Sequence, residues 1–232
     1  LTPETVRSAF EKRRDLHFSK PRALSLTQAT EFGTIYQTAE IAALTEVARS
    51  CGLKVHMDGA RFANAAATLS ATPAEITWKS GVDVVSFGGT KLGGGIGDAV
   101  VFFDHELAHE FDYRCKQAGQ LASKMRFITA AWEGLLDGDA WLRIASRANQ
   151  HAQNLAAGLR EINGVEILFP VEANAVFARF SPAVDTALQK VGWHYYSLAG
   201  IGDSRLMCSW RTTDDDVSSF LAAARDATVA VS

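Results

Sequence analysis

Two short apolar runs, each ending in a turn that carries a reactive side chain, constrain this chain more than any other feature. Leu53-Lys-Val-His-Met57 runs into Asp58-Gly-Ala-Arg61, and Val82-Asp-Val-Val-Ser-Phe87 runs into Gly88-Gly-Thr-Lys91-Leu-Gly-Gly-Gly95. Short runs of β-branched and aromatic residues closed by glycine read as strands. Ala23 to Thr27 reads as an earlier strand. Thr38 then caps an apolar-periodic helix through Ile41, Leu44, Val47 and Ala48 that ends at Gly52. Between the two runs, Ala60 to Leu69 is predicted helical. Thr72-Pro73-Ala-Glu75 opens a further short helix with N-cap, N1 proline and N3 glutamate in place. Ala99 to Phe103 adds another strand. Alternating strands and helices predict an α/β layer whose mainly parallel sheet is covered on both faces. Active sites in such layers gather at the C-terminal ends of strands, where both Asp58 and Lys91 fall.

The pattern changes farther along. Helical periodicity dominates from Glu106 to about Ile162, and the long Ala140 to Ile162 segment suits a link between a large and a small domain. Val165 to Phe169, Ala175 to Phe180, Trp193 to Ser197 and Arg205 to Ser209 read as strands, with helices near Ala183 to Val191 and Asp214 to Val229. The expected division is therefore residues 1–138 as α/β domain and 139–232 as linking helix plus a smaller α+β domain. With 232 residues, 47% of them hydrophobic, a sizeable core is available. Lys and Arg total 23 against 26 Asp and Glu, so no basic field exists to hold nucleic acid. No apolar run approaches the ~18 residues that span a membrane. Cys51, Cys115 and Cys208 are an odd, scattered set without metal spacing and read as buried free thiols, which favours a reducing, cytoplasmic setting. The histidines at 56, 105, 109, 151 and 194 form no metal-ligand pattern, so no metal is expected. Among them His151 is predicted on a polar helical face, and His105 with His109 as a solvated pair.

A lysine enclosed by small residues and an aspartate at a neighbouring strand end suit pyridoxal phosphate (PLP). That cofactor needs an amine for a Schiff base, from a crowded, partly desolvated place where the lysine pKa falls. It also needs a carboxylate facing its ring nitrogen. Gly88, Gly89, Gly93, Gly94 and Gly95 around Lys91 are read as letting backbone approach a bulky cofactor. They match neither the phosphate-loop nor the dinucleotide glycine pattern. Asp58 fits the carboxylate, with an ordinary helix N-cap as its other reading. Arg61 is expected one helical turn beyond Asp58, facing the same crevice. Thr90 offers a hydroxyl for a phosphate, or serves as a small polar turn residue.

These motifs, with Thr27-Gln-Ala-Thr-Glu31, Tyr113 to Arg126 and Phe169-Pro-Val-Glu-Ala-Asn174, resemble the low-specificity L-threonine aldolases. The likeness is greatest to the phenylserine aldolase type, among the fold type I PLP enzymes. The resemblance extends from about Leu1 to the C-terminal helix. It implies an aspartate aminotransferase-type large domain and a PLP-dependent carbon–carbon lyase that cleaves threonine, allo-threonine or phenylserine to glycine and an aldehyde. It also implies a homodimer or homotetramer, and a chain whose N-terminal part, with a phosphate loop and a ring-stacking histidine, precedes Leu1. Residue by residue, it implies Lys91 as the Schiff-base lysine and Asp58 beside the ring nitrogen. Arg61 would lie near the ring hydroxyl and the substrate carboxylate. Arg205 would hold the α-carboxylate, and His17 of Asp15-Leu-His-Phe18 would lie near the β-hydroxyl. Lys116 and Arg126 match basic positions near the phosphate or a subunit boundary, with plain surface charge as the alternative. Arg211 stands where the phenylserine aldolase type more commonly carries an acidic residue. Lysine and aspartate serve transamination and β-elimination equally, and a catalytically silent binding protein on this fold is the remaining alternative.

Overall fold

A computed structural model describes residues 1–12, 16–198 and 203–231. They fall into two compact units, Leu1–Ala29 with Tyr36–Trp141, and Thr30–Ile35 with Leu142–Ser232.

The first unit holds α1 (Pro3–Glu11), β1 (Ala23–Thr27), α2 (Thr38–Ser50), β2 (Lys54–Gly59), α3 (Phe62–Thr68), α4 (Pro73–Ile76), β3 (Val84–Gly88), β4 (Asp98–Phe102), α5 (His105–Ala108), α6 (Phe111–Gln117) and α7 (Arg126–Leu136). Its four strands lie in the order β1-β2-β3-β4. β1, β2 and β3 are parallel, with Thr27 opposite Asp58 and Asp58 opposite Ser86. β4 turns back antiparallel on β3, placing Asp98 opposite Gly88. Asp83 helps set the alignment, because its Oδ2 accepts the Val55 amide at 2.7 Å.

Period-2 alternation sends Val55 and Met57 into the core, while His56 and Asp58 face the other way. The apolar stripe of α2, carried by Ile41, Leu44 and Ala48, is buried as its periodicity predicts. Its cap differs from the expectation by one residue. Gln37, not Thr38, is the N-cap, because Glu40 accepts the Gln37 amide at 2.7 Å and closes a capping box. Thr72 and Glu75 form the box expected for α4. Phe87, on the sheet face opposite Ser86, meets the Phe62, Trp132 and Trp141 rings at 5.4, 5.0 and 5.4 Å.

The second unit takes most of α8 (Ala140–Arg160), then β5 (Glu166–Ile167), β6 (Ala175–Arg179), α9 (Pro182–Lys190), β7 (Tyr196–Leu198), β8 (Asp203–Met207) and α10 (Asp214–Val231). Its sheet is antiparallel throughout, in the order β5-β6-β8-β7. Val176, Ala178, Leu206 and Cys208 join Leu155 and Leu159 of α8, Leu188 of α9 and Phe220 and Ala224 of α10 in one core. On the other side of β6, Phe177 packs edge-on to Phe169 at 5.5 Å, and Phe32 lies 4.7 Å from Phe169.

Three expectations are corrected here. The strand predicted from Trp193 begins only at Tyr196, because Trp193 turns inward against Phe220, ring to ring at 5.0 Å. His151 is buried instead of facing solvent. It shares the inward stripe of α8 with Ala148, Ala152 and Leu155, and its Nε2 lies 3.4 Å from the Asp214 carboxylate. Of the three cysteines only Cys208 is buried, while Cys51 and Cys115 are partly exposed. Cys51 follows the end of α2, and Cys115 sits on α6, a helix with no buried residue.

Candidate active site

Asp58 is the penultimate residue of β2 and is half-buried. Its Oδ1 accepts the Ala60 amide at 3.0 Å, and its backbone carbonyl accepts the Gln28 amide at 2.9 Å. It is not a helix cap. The N-cap position of α3 belongs to Arg61, at φ −129° and ψ 29°, and the Ala60 amide lies before the helix. Arg61 therefore does not follow Asp58 by one helical turn, because a strand end and a tight turn separate them. Gln28 is fully buried and holds the chain beside Asp58. Its Nε2 donates to the Tyr36 carbonyl at 2.9 Å, and its Oε1 accepts the Tyr36 amide at 3.1 Å.

Lys91 sits in a 3₁₀ turn, Thr90–Leu92, directly after β3, and Gly93 closes that turn at φ +85°. Asp58 and the lysine turn thus leave adjacent parallel strands at the same edge. The side chains of Lys91 and Thr90 are exposed, so the partly desolvated lysine expected from the glycines is not what the fold presents. The crowding is in the backbone. A Cβ on Gly88 would stand 2.9 Å from the Ala60 backbone, one on Gly89 2.6 Å from the Trp132 indole, and one on Gly94 2.6 Å from Leu135. Protein neighbours, not room for a cofactor, demand these three glycines. Asp98 holds the turn from β4, its Oδ1 accepting the Gly89 amide at 3.2 Å.

On the Asp58 face of the sheet, His56 bridges Ser25 of β1 and Ser86 of β3. Lys116 on α6 and Arg126 at the start of α7 are exposed, the Arg126 guanidinium 4.8 Å from the Phe127 ring centre. His17 is exposed in the turn after α1, and Asp15 of its motif lies outside the described residues.

Arg205 belongs to the second unit, on β8 opposite Phe177 and Tyr196. Its guanidinium carbon lies 6.0 Å from the centre of the Phe177 ring, and its buried Nε has no hydrogen-bond partner among the described residues. An unsatisfied buried guanidinium nitrogen is suited to an anionic ligand, since leaving such a donor unpaired costs about 1–3 kcal/mol or more. Within this unit the residues just after the 27–31 motif reach the 169–174 motif and its neighbour Ala175. Glu172 accepts the Ile35 amide at 2.8 Å, and Gly33 at φ +76° packs on Ala175, where a Cβ would stand 3.2 Å from the alanine methyl. Arg211 is exposed beside Trp210, 5.9 Å from its ring centre.

An amine and a carboxylate at adjacent strand ends form a donor set that fits PLP. The Asp58 Oδ2 has no hydrogen bond among the described residues, leaving it available to a protonated ring nitrogen. Gln28, His56 and Asp98 shape this edge without having been singled out as site residues. Gln28 was within reach of sequence reasoning as a neutral amide inside the Thr27-Gln-Ala-Thr motif, and Asp98 as an acid closing the glycine stretch.

The beta-eliminating lyase family matches residues 1–183. The chain is 53% identical over 214 residues to a low specificity L-threonine aldolase of a Pseudomonas species, covering 92% of this chain and 62% of that protein. It is 51% identical over 226 residues to a low specificity L-threonine aldolase of Pseudomonas aeruginosa, covering 97% of this chain and 64% of that one. The chain therefore spans less than two thirds of either relative. Among solved structures, a threonine aldolase of Leishmania major superposes with a TM-score of 0.90 at 24% identity, over 98% of this chain and 67% of that one. The shared architecture is the expected one, a fold type I α/β layer with a smaller α+β part toward the C-terminus. With the family matched over residues 1–183 and more than half of the aligned residues identical to those of two relatives, the chain belongs to the beta-eliminating lyase family.

Proposed function

We propose that this is a PLP-dependent carbon–carbon lyase that cleaves L-β-hydroxy-α-amino acids to glycine and an aldehyde, and catalyses the reverse addition. Threonine, allo-threonine and phenylserine are the substrates in view. The observation that carries the reading is the exit of Asp58 and Lys91 from adjacent parallel strands at one edge, in a chain more than 50% identical to two L-threonine aldolases.

Bound there, PLP supplies an electron sink for the pair left at Cα when the Cα–Cβ bond breaks. Lys91 is the residue that would hold the cofactor, through its Nζ. Asp58 keeps the proton on the ring nitrogen. Thr90 offers its hydroxyl to the phosphate, and Lys116 and Arg126 add positive charge for it. Arg61 serves the ring hydroxyl and the substrate carboxylate. Arg205 grips the α-carboxylate with a planar fork suited to two parallel hydrogen bonds. His17, or a water, accepts the proton of the β-hydroxyl, without which the aldehyde cannot form.

The resemblance supports a homodimer or dimer-based tetramer. Three unpaired cysteines support a cytoplasmic setting, and among the described residues no helix is long and apolar enough to cross a membrane. The family description keeps β-elimination as a second reading. Products distinguish the two. L-Threonine should give glycine and acetaldehyde in equal amounts, and borohydride should fix the cofactor to the peptide containing Lys91. Release of ammonia with a 2-oxo acid would favour β-elimination, and label on any other lysine would overturn the site.

A further inference from the structure

His56 lies on β2 two residues before Asp58, on the same face of the strand. Its Nδ1 is 2.9 Å from Ser25 Oγ on β1, and its Nε2 is 2.9 Å from Ser86 Oγ on β3. A single half-buried imidazole thus ties the three parallel strands together. A neutral imidazole donates from one nitrogen and accepts at the other, and serine hydroxyls take either role, so both tautomers complete the bridge. Ser86 has a second relation to the site, because it is the register partner of Asp58. The hydroxyl that His56 engages therefore belongs to the residue beside the carboxylate.

Asp58 itself is held lightly. Among the described residues its side chain takes one hydrogen bond, from the Ala60 amide in the turn beyond the strand. Its aim therefore depends on the pitch of β2 against β3, and productive geometry tolerates only about 0.5 Å of error. A slip of β2 would carry Asp58 with it. The backbone ladders and the packed Val55 and Met57 fix the register of β2, and the polar bridge next to Asp58 adds directional bonds on both sides of the strand.

We propose that His56 is a positioning residue for Asp58, acting chiefly through its bond to Ser86, so that the carboxylate stays aligned with the cofactor ring nitrogen. The inference rests on the PLP-dependent reading above. Asparagine and glutamine allow a directional test, because an asparagine amide nitrogen reaches where Nδ1 lies and a glutamine amide nitrogen where Nε2 lies. His56→Gln should keep the Ser86 link, and His56→Asn the Ser25 link.

The experiment compares wild type, His56→Phe, His56→Gln, His56→Asn and Ser86→Ala by PLP absorbance titration, the pH dependence of the bound-cofactor band, kcat and KM for L-threonine, and thermal midpoint. His56→Phe should lower PLP affinity and kcat by about 10- to 100-fold, the scale of losing an outer hydrogen-bonding partner of a metal ligand, carried over to a cofactor-facing carboxylate. KM should change by less than about twofold, since the substrate carboxylate is held elsewhere. The band should also shift its pH midpoint, which a generally loosened fold would leave in place. His56→Gln should recover most of the loss and His56→Asn little. If His56→Phe does not fold, Ser86→Ala carries the test, because it removes one hydroxyl from the same bridge. An unchanged band and kcat in His56→Phe or Ser86→Ala, or equal recovery by asparagine and glutamine, would overturn the proposal. A wild type with no cofactor band overturns the PLP reading itself, and this inference with it.

Discussion

At the scale of single residues, the site depends on which groups are charged and which are shielded. Asp58 holds one carboxylate oxygen to the Ala60 amide, an arrangement an amide side chain can copy without disturbing the turn. Asp58→Asn should therefore fold normally and lower turnover by roughly 100-fold, the scale of removing one well-aimed electrostatic stabiliser. Steady-state kinetics at saturating L-threonine would check this, and wild-type turnover would reduce Asp58 to a backbone brace. Cys208 is a different case. Burial pushes its thiol up to about 12, so at neutral pH the reactive thiolate is scarce there. In the native protein a thiol reagent at pH 7.5 should modify the partly exposed Cys51 and Cys115 and spare Cys208, with all three reacting in denaturant. Peptide mass mapping reads the result, and native labelling of Cys208 at the rate of the other two would contradict its burial.

At the scale of elements, the lysine turn is shaped by the helix packed behind it. Gly89 has no room for a methyl group, because Trp132 of α7 would stand 2.6 Å from it. Gly89→Ala should cost about 1–3 kcal/mol, the usual range for overpacking, and should weaken PLP binding by displacing the Lys91 turn. Gly134→Ala is the control, since a Cβ there meets nothing within 4 Å and no positive φ opposes the change. Chemical denaturation of the two variants tests the difference, and equal stability would mean that Trp132 moves aside freely. Local signals located several elements well. β1 lies where its apolar run lies, and Thr72, Pro73 and Glu75 open α4 as their order predicts. The reading slipped for two different reasons: Trp193 was drawn inward by the remote Phe220, whereas the α2 cap at Gln37 is closed by Glu40 only three residues on, a local capping box.

At the scale of the whole molecule, each unit has its own sheet and its own core, and in the second the fully buried Phe177 joins distant parts of the chain. It contacts Phe32 and Phe169, and the Arg205 guanidinium lies over its ring. Phe177→Ala should destabilise the protein by about 3–5 kcal/mol, a large share of the ~5–15 kcal/mol that holds a typical domain. A urea midpoint within error of wild type would contradict that role. The sequence by itself determined the α/β alternation, the change to α+β toward the C-terminus, and the placing of Asp58 and Lys91 at strand ends. Those features are written in periodicities of two and 3.6 residues and in glycine punctuation, which act over a few neighbours. Only the tertiary structure decided that β4 runs antiparallel and that Gly88, Gly89 and Gly94 serve Ala60, Trp132 and Leu135. It alone showed that His151 is buried and that His56 bridges Ser25 and Ser86. Each of these depends on the distance between groups remote in the chain, and such distances exist only once the strands have paired and the helices have packed.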